Sequence, residues 1–142
     1  MTSSTRRPLR PIYNIAHRGV QSLAPENTMS AIEKAWEIGA HGVEVDVAVT
    51  RDGELILFHD DLLNRTTDAH LKFPERKDQP FTTFTLQELR SLDAGSWFVE
   101  TDPLGEIEKG NVSASEQSAM QGIQIPTLEE VLLFVKKQGL VH

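Results

Sequence analysis

The chain has 142 residues, a length that fits a single domain, and 39% of them are hydrophobic, which suffices for a core and excludes a disordered composition. A net charge of −7 argues against binding of nucleic acid or of anionic membranes through bulk charge. The absence of cysteine excludes disulfides and thiolate sites and fits a cytoplasmic location. No segment has the roughly 20 apolar residues of a membrane span, and residues 1–11 form a polar N-terminal tail without a signal-peptide pattern.

The segment after this tail has the pattern of a strand, a helix and a second strand. Ile12–Ala16 predicts a short strand, and an apolar stripe at helical spacing predicts a helix over residues 28–38. The helix start has two candidate signals, an N-cap at Asn27 or a capping box of Ser30 and Glu33. A β-α-β unit of this kind favours two parallel strands, whose C-terminal ends lie at the same edge.

A β-hairpin is predicted at Val43–Phe58. Valines alternate with polar residues at its start, and Asp52-Gly53 is a strong signal for a tight turn. If those two residues form the whole loop, Asp46 faces His59 across the hairpin.

Five side chains around this hairpin are expected to converge. Glu44 and Asp46 lie two residues apart, so they share one face of a strand with Cα atoms about 6–7 Å apart. Acids alternating with valines are also typical of the solvated face of an antiparallel strand, which is the simpler interpretation. His17 and Arg18 end the first strand, and His59 follows the hairpin, so a second interpretation is a catalytic site. Carboxylates favour Mg²⁺ or Ca²⁺ over zinc, arginine binds phosphate in a bidentate way, and histidine transfers protons.

The remainder of the chain predicts further helices and loops. In order these are a loop at Asp60–Pro80, a helix from the Thr85/Glu88 capping box to about Leu92, a loop or insertion at Thr101–Gln124, a helix from the Thr127/Glu130 capping box to about Gln138, and a strand beginning at Leu140–His142. Parallel β/α units need a closed barrel or a sheet covered on both faces, and these elements supply neither. Residues 12–142 are therefore interpreted as part of a larger domain whose C-terminal part is missing.

Several motifs together give the chain a family resemblance. They are Ala16-His17-Arg18-Gly19, Ala24-Pro25-Glu26-Asn27-Thr28, Val43-Glu44-Val45-Asp46-Val47, Thr50-Arg51-Asp52-Gly53, His59-Asp60 with Leu63-Asn64-Arg65-Thr66-Thr67, and Ile125-Pro126-Thr127-Leu128-Glu129-Glu130. This set resembles the glycerophosphodiester phosphodiesterase family, whose signature is the ordered series His-Arg, Glu-x-Asp and His-Asp. The resemblance implies an α/β fold, the N-terminal portion of a TIM (β/α)8 barrel, of which typical examples have about 250 residues.

The resemblance also implies roles for individual residues. The implied general acid and base are His17 and His59, the phosphate ligand is Arg18, and the ligands of a divalent cation, Mg²⁺ or Ca²⁺, are Glu44 and Asp46, with a third acidic ligand expected beyond His142. The implied reaction is metal-dependent hydrolysis of small-molecule glycerophosphodiesters to glycerol 3-phosphate and an alcohol.

Three alternatives stay open at this point. One is a related enzyme on the same barrel, such as a lysophospholipase D or a phospholipase-type phosphodiesterase. Another is a non-catalytic barrel that serves as a binding module, although all five motif residues are present. The last is a fragment without activity of its own.

Overall fold

The computed structural model describes residues 12–138. Their strands and helices are β1 (Ile15–His17), α1 (Met29–Glu37), β2 (Gly42–Glu44), β3 (Val47–Val49), β4 (Leu55–Leu57), α2 (Ala69–Lys72), α3 (Leu86–Arg90), α4 (Ser96–Thr101), α5 (Ala114–Ala119) and α6 (Leu128–Gln138). None of these helices has the length and apolar character needed to cross a membrane. The predicted tail at residues 1–11 and the predicted strand at Leu140–His142 lie outside the described residues.

The predicted β-α-β start is confirmed, although its first strand is placed differently. Strands β1 and β2 are parallel, and His17 lies opposite Glu44 at their C-terminal ends. The strand prediction at Ile12–Ala16 is wrong in its bounds, because β1 begins at Ile15 and includes His17. The histidine is therefore the last residue of the strand rather than the first residue after it.

Helix α1 begins at a different cap from either predicted one. The Thr28 hydroxyl accepts a hydrogen bond from the backbone N–H three residues further on, at 3.3 Å. The prediction of Asn27 as N-cap is wrong, because this residue adopts a left-handed conformation with φ 54°. The alternative capping box is also wrong, since Ser30 and Glu33 both lie inside the helix.

The hairpin forms with a longer loop than predicted. Strands β3 and β4 are antiparallel, and Thr50 N–H donates to the Glu54 carbonyl at 2.9 Å, which leaves the three residues 51–53 as the loop. Gly53 has φ 89°, the left-handed conformation that three-residue hairpin loops require at this point. The Thr50 hydroxyl strengthens the loop by donating to Asp52 Oδ1 at 2.6 Å and accepting from the Glu54 N–H at 3.0 Å.

This extra loop residue changes the register of the hairpin by one. Val47 pairs with Leu57, and the Phe58 N–H donates to the Asp46 carbonyl at 3.1 Å. The prediction that Asp46 faces His59 is therefore wrong, because Phe58 occupies that position. In a strand, a change of one residue moves a side chain to the other face of the sheet.

The predicted hairpin at Val43–Phe58 is also shorter than expected. Instead of one continuous strand from Val43, the chain forms β2, which pairs with β1, and then β3, which pairs with β4. Residues 45 and 46 lie between the two strands and belong to neither. Glu44 thus ends the parallel sheet, and Asp46 directly precedes the hairpin.

The two predicted capping boxes that follow are confirmed. Thr85 and Glu88 form a reciprocal pair at the start of α3, which ends at Arg90. Thr127 and Glu130 form the corresponding contacts at the start of α6, with the Thr127 N–H donating to Glu130 Oε2 at 2.8 Å. Each such cap stabilises its helix by about 1 kcal/mol.

The loop predictions at Asp60–Pro80 and Thr101–Gln124 are wrong in part. The first contains α2, and the second contains α5, which opens with a capping box of Ser113 and Glu116. Helix α5 buries none of its residues, so it shows no apolar stripe in the sequence. A short ion pair of 2.5 Å between Lys34 and Glu116 joins α5 to α1.

Strand β4 lies between two apolar clusters and is buried on both faces. Ile56 packs into a cluster with Phe58, Leu63, Phe84, Leu89 and neighbouring side chains. Leu57 points to the other face and packs with Ile32 of α1 and with Val131 and Val135 of α6. Full burial stabilises each large apolar side chain by about 1.5–3 kcal/mol. The strand that leads to His59 is therefore held firmly on both sides.

Candidate active site

The first part of the candidate site lies where strands β1 and β2 end. His17 Nε2 lies 3.7 Å from Glu44 Oε2, and the two side chains are 59% and 47% exposed. The other ring nitrogen, Nδ1, lies 2.6 Å from the amide nitrogen of Gln21. Because both His17 and Glu44 face solvent, a dissolved ligand can reach them.

The turn after β1 fixes the position of Arg18. Arg18 and Gly19 have φ values of 54° and 75°, both left-handed. A side chain at Gly19 would place its Cβ 2.7 Å from the backbone carbon of Ala31 in α1, so this close approach requires glycine. The Arg18 N–H donates to Glu44 Oε2 at 3.2 Å, which connects the turn to the end of β2.

The Arg18 guanidinium lies between two carboxylates. Its Nη1 donates to Glu26 Oε1 at 2.9 Å, and its Nε lies 3.1 Å from Asp46 Oδ2 as an ion pair. The Nε–H does not point at that oxygen, so within residues 12–138 this buried group has no hydrogen-bond partner. The Arg18 side chain as a whole is 16% exposed, so other N–H groups of its guanidinium can reach a further acceptor, such as a phosphate oxygen.

Asn27 orients Asp46 through both atoms of its side-chain amide. Its Nδ2 donates to Asp46 Oδ2 at 2.9 Å, and its Oδ1 accepts from the Asp46 backbone N–H at 3.1 Å. Only 4% of Asn27 is exposed. Asparagine tolerates the left-handed backbone that this position needs better than most residues.

The second part of the site is a charged cluster after β4. Arg65 clamps Asp60, with Nε donating to Oδ2 at 2.5 Å and Nη2 to Oδ1 at 2.9 Å. The same guanidinium donates to both oxygens of Glu26, at 2.9 and 2.7 Å. His59 Nδ1 lies 2.6 Å from Asp60 Oδ1. Glu26 therefore connects this cluster to Arg18.

The charges of this cluster are strongly coupled. The hydrogen bond from Arg65, followed by that from His59, lowers the pKa of Asp60 to about 2 against the opposing effect of burial. Burial acts to raise the pKa of Glu26, but the bonds from Arg65 and Arg18 outweigh it and lower the pKa. The bonds to Glu26 and Asp60 raise the pKa of Arg65. All three groups are therefore ionised at neutral pH.

Of the residues predicted from the sequence, four lie in direct contact and one is connected indirectly. The four are His17, Arg18, Glu44 and Asp46. The fifth, His59, joins them through Asp60, Arg65 and Glu26 rather than through the predicted pairing with Asp46.

Four residues of the site were not predicted as site residues, namely Glu26, Asn27, Asp60 and Arg65. All four lie within the motifs that carry the family resemblance, but that resemblance assigns them no individual role. The Pro-Glu-Asn segment has the composition of a loop, and Asp60 is one further acid in an acidic chain. An acid and an amide in a loop between a strand and a helix would have been the signal, since loops at strand ends commonly carry function.

The carboxylates Glu44 and Asp46 are of the ligand type that a divalent cation prefers, but two ligands are too few to hold one. Both offer oxygen ligands near solvent, as Mg²⁺ and Ca²⁺ prefer. Within residues 12–138, however, no group of three or more His, Cys, Asp or Glu side chains is arranged to hold a metal ion. These two residues can form part of a cation site, to which further ligands would have to be added.

Proteins of known sequence resemble this chain over most of its length. The chain is 42% identical over 118 residues to a glycerophosphoinositol inositolphosphodiesterase of Mus musculus, covering 83% of this chain and 22% of that protein. It is 39% identical over 121 residues to a glycerophosphodiester phosphodiesterase of Bacillus subtilis, covering 85% of this chain and 35% of the relative. The chain thus spans about a fifth to a third of the length of these relatives.

Solved structures of the same kind share the fold of the described residues. A phosphodiesterase of Oleispira antarctica, in complex with the product sn-glycerol-3-phosphate, matches with a TM-score of 0.67 and 34% identity over 90% of this chain and 41% of its own. A glycerophosphodiester phosphodiesterase of Agrobacterium tumefaciens matches with a TM-score of 0.66 and 29% identity over 89% and 44%. The mixed α/β unit described above thus corresponds to less than half of these barrel-type chains. Residues 17–141 match the sequence pattern of a single family, so the chain belongs to the glycerophosphoryl diester phosphodiesterase family.

Proposed function

We propose that the protein containing this chain hydrolyses glycerophosphodiesters to glycerol 3-phosphate and an alcohol. The observation that carries this proposal is the Arg18 guanidinium, which lies between Glu26 and Asp46 and is 16% exposed, at the edge where His17 and Glu44 face solvent. A phosphodiester is an anion whose oxygens accept charge-assisted hydrogen bonds from a guanidinium. Membership of the family, and the sn-glycerol-3-phosphate held by the Oleispira antarctica relative, support the choice of substrate.

In this proposal each residue of the site has a distinct task. Arg18 binds the phosphate and stabilises the negative charge that grows in the transition state. His17 and His59 transfer the protons, one removing a proton from the attacking oxygen and the other giving one to the departing alcohol. The half-exposed positions of both histidines fit groups that must meet a substrate from solution.

The proposal includes a divalent cation, Mg²⁺ or Ca²⁺. Glu44 and Asp46 would hold it, together with a third acidic ligand that we place beyond His142, in the part of a (β/α)8 barrel that follows residues 12–142. The cation would supply positive charge beside the phosphate oxygens. Asn27 supports this arrangement because it fixes the direction of the Asp46 carboxylate.

A hydrolysis assay of the natural-length protein tests this function. We expect cleavage of glycerophosphocholine and glycerophosphoinositol, loss of activity in EDTA, and a fall in turnover of about 10²–10⁴-fold in His17→Ala. His70→Ala, which removes an exposed histidine on α2, is the matched control and should leave turnover unchanged. Activity that survives both EDTA and His17→Ala would contradict the mechanism.

A related phosphodiesterase is the second candidate. It is favoured by the similarity to the mouse relative, whose name specifies a glycerophosphoinositol substrate. The products of the same assay decide between the two candidates. Glycerol 3-phosphate supports the first, whereas free glycerol with a phosphorylated alcohol supports the second.

A further inference from the structure

We propose that Asp60 is a positioning residue that fixes the tautomer of His59, with the proton on Nδ1 and the lone pair on Nε2. His59 Nδ1 lies 2.6 Å from Asp60 Oδ1, which is a short hydrogen-bond distance between a ring nitrogen and a carboxylate. The catalytic role of His59 rests on the function proposed above, whereas the inferred tautomer of its ring does not depend on that function.

The direction of this hydrogen bond follows from the chemistry of the two groups. An ionised carboxylate only accepts hydrogen bonds, so the proton between Asp60 and His59 must belong to Nδ1. Arg65 keeps the carboxylate in this state, because it donates to both of its oxygens at 2.5 and 2.9 Å. A guanidinium only donates, which leaves no arrangement in which Asp60 is the donor.

Glu26 in turn prevents Arg65 from turning away. It accepts two hydrogen bonds from Arg65, at 2.9 and 2.7 Å, and its side chain is only 9% exposed. A charged group held on two sides by fixed partners loses little further freedom when it engages a third. The imidazole of His59 is therefore oriented before any substrate arrives, with Nε2 as the nitrogen that exchanges a proton with it.

The substitution Asp60→Asn should reverse the tautomer. The new amide has one oxygen and one NH₂ group. The oxygen is expected to stay with Arg65 Nε, because this nitrogen has no other hydrogen bond in the described structure. The NH₂ group then faces His59, while Arg65 Nη2 keeps its bond to Glu26. Nδ1 must accept this new bond, so the proton moves to Nε2.

Imidazole ¹⁵N NMR of the natural-length protein tests this proposal without any need for activity. At a pH where the ring is neutral, a protonated nitrogen resonates well upfield of an unprotonated one. We expect an upfield Nδ1 in the wild type and an upfield Nε2 in Asp60→Asn. Asp61→Asn makes the same chemical change at the next residue, which is exposed, and should leave the wild-type spectrum of His59 unchanged.

Two results would overturn the proposal. One is a wild-type His59 that carries its proton on Nε2, a result that needs no variant to fold. The other is an Asp60→Asn protein that retains native amide shifts and keeps the proton on Nδ1. A natural-length protein that shows the expected tautomers but fails to hydrolyse glycerophosphodiesters would reject the proposed function and leave the role of Asp60 intact.

Discussion

The two histidines of the site are held in different ways. His17 contacts the neutral amide of Gln21, which can offer either its NH₂ group or its oxygen by rotating its last side-chain bond. His59 contacts the carboxylate of Asp60, which can only accept a hydrogen bond and is itself clamped by Arg65. Glu44 Oε2 lies 3.7 Å from His17 Nε2, beyond hydrogen-bond distance, so the described contacts fix the tautomer of the second ring but not that of the first.

In the reaction proposed above, this difference divides the work between the two histidines. A histidine with an adaptable neighbour can lose and regain protons at either nitrogen, whereas one beside a fixed carboxylate presents the same nitrogen in every cycle. Glu26 lies between the two regions, since it binds both Arg18 and Arg65. Substitutions on each side, and at this link, separate the two behaviours.

The largest effect is expected where the two regions meet. Glu26→Gln leaves two arginines to share one neutral amide, and removing one partner of a buried ion pair costs about 3–5 kcal/mol. Because Arg65 is 45% exposed and can turn to water, we expect about 3 kcal/mol of lost unfolding free energy, measured by urea denaturation. Glu33→Gln, an exposed position on α1, is the control and should change stability by less than about 0.5 kcal/mol. Equal losses of unfolding free energy in the two variants would show that the ion pairs of Glu26 do not stabilise the fold.

Turnover should distinguish the two histidine partners. We expect Asp60→Asn to lower kcat of the natural-length protein by about 100-fold, because Nε2 of the reversed tautomer cannot accept a proton and the ring loses the carboxylate that stabilises its protonated form. The corresponding change on the other side, Gln21→Ala, should lower kcat by less than about threefold, since water can replace an amide at an exposed ring. Steady-state kinetics on glycerophosphocholine measures both, and similar losses would mean that the two rings are held equally.

A smaller effect is expected in the pH dependence of stability. The pKa of Asp60 lies near 2 in the folded chain, below its ordinary value of 3.8, chiefly because of the hydrogen bond from Arg65. A carboxylate with a lowered pKa stabilises the fold above its unfolded pKa, and this contribution disappears as pH falls through the folded value. At pH 6 we expect the free energy of unfolding of the wild type to exceed that of Asp60→Asn by about 1–2 kcal/mol because of this ionised carboxylate. The difference should vanish between about pH 4 and pH 2. Urea denaturation of both proteins across this range measures it, and a difference independent of pH would exclude the ion pair as its cause.

The smallest effect is expected for the stability of Gln21→Ala. Gln21 is partly exposed and contacts an exposed ring, so its removal should change the free energy of unfolding by less than about 0.5 kcal/mol. A larger loss in urea denaturation would show that the His17 region is also held rigidly.

Local patterns in the sequence predicted most strands and helices correctly, but they did not predict the register in which the hairpin strands pair. The parallel β1–β2 pair followed from strand, helix and strand in that order, and the helices at Thr85 and Thr127 followed from their capping boxes. The hairpin was also found, but its register depends on a loop conformation. Asp52-Gly53 fits both a two-residue and a three-residue loop, and the Thr50 side chain, which bonds to Glu54 and Asp52, favours the longer one.

The candidate site was predicted in its residue types but not in its connections. The motifs brought His17, Arg18, Glu44 and Asp46 into contact as expected. The link to His59 could not be derived, because it depends on Arg65 reaching back over a distance of 39 residues to Glu26. Long-range ion pairs of this kind have no periodic pattern in a sequence, unlike the apolar faces of strands and helices.

The paired hydrogen bonds of Asn27 have a consequence for the chemical ageing of the protein. Deamidation at this position would replace the amide that donates to Asp46 by a second carboxylate in the same place. Two carboxylates in contact repel each other, so the orientation of Asp46 would then depend on whether one of them takes up a proton. Burial of Asn27 and its unusual backbone shield it from this reaction in the folded state. The useful lifetime of the site in storage is therefore tied to how often the start of helix α1 opens, a rate that peptide mapping of aged samples can follow.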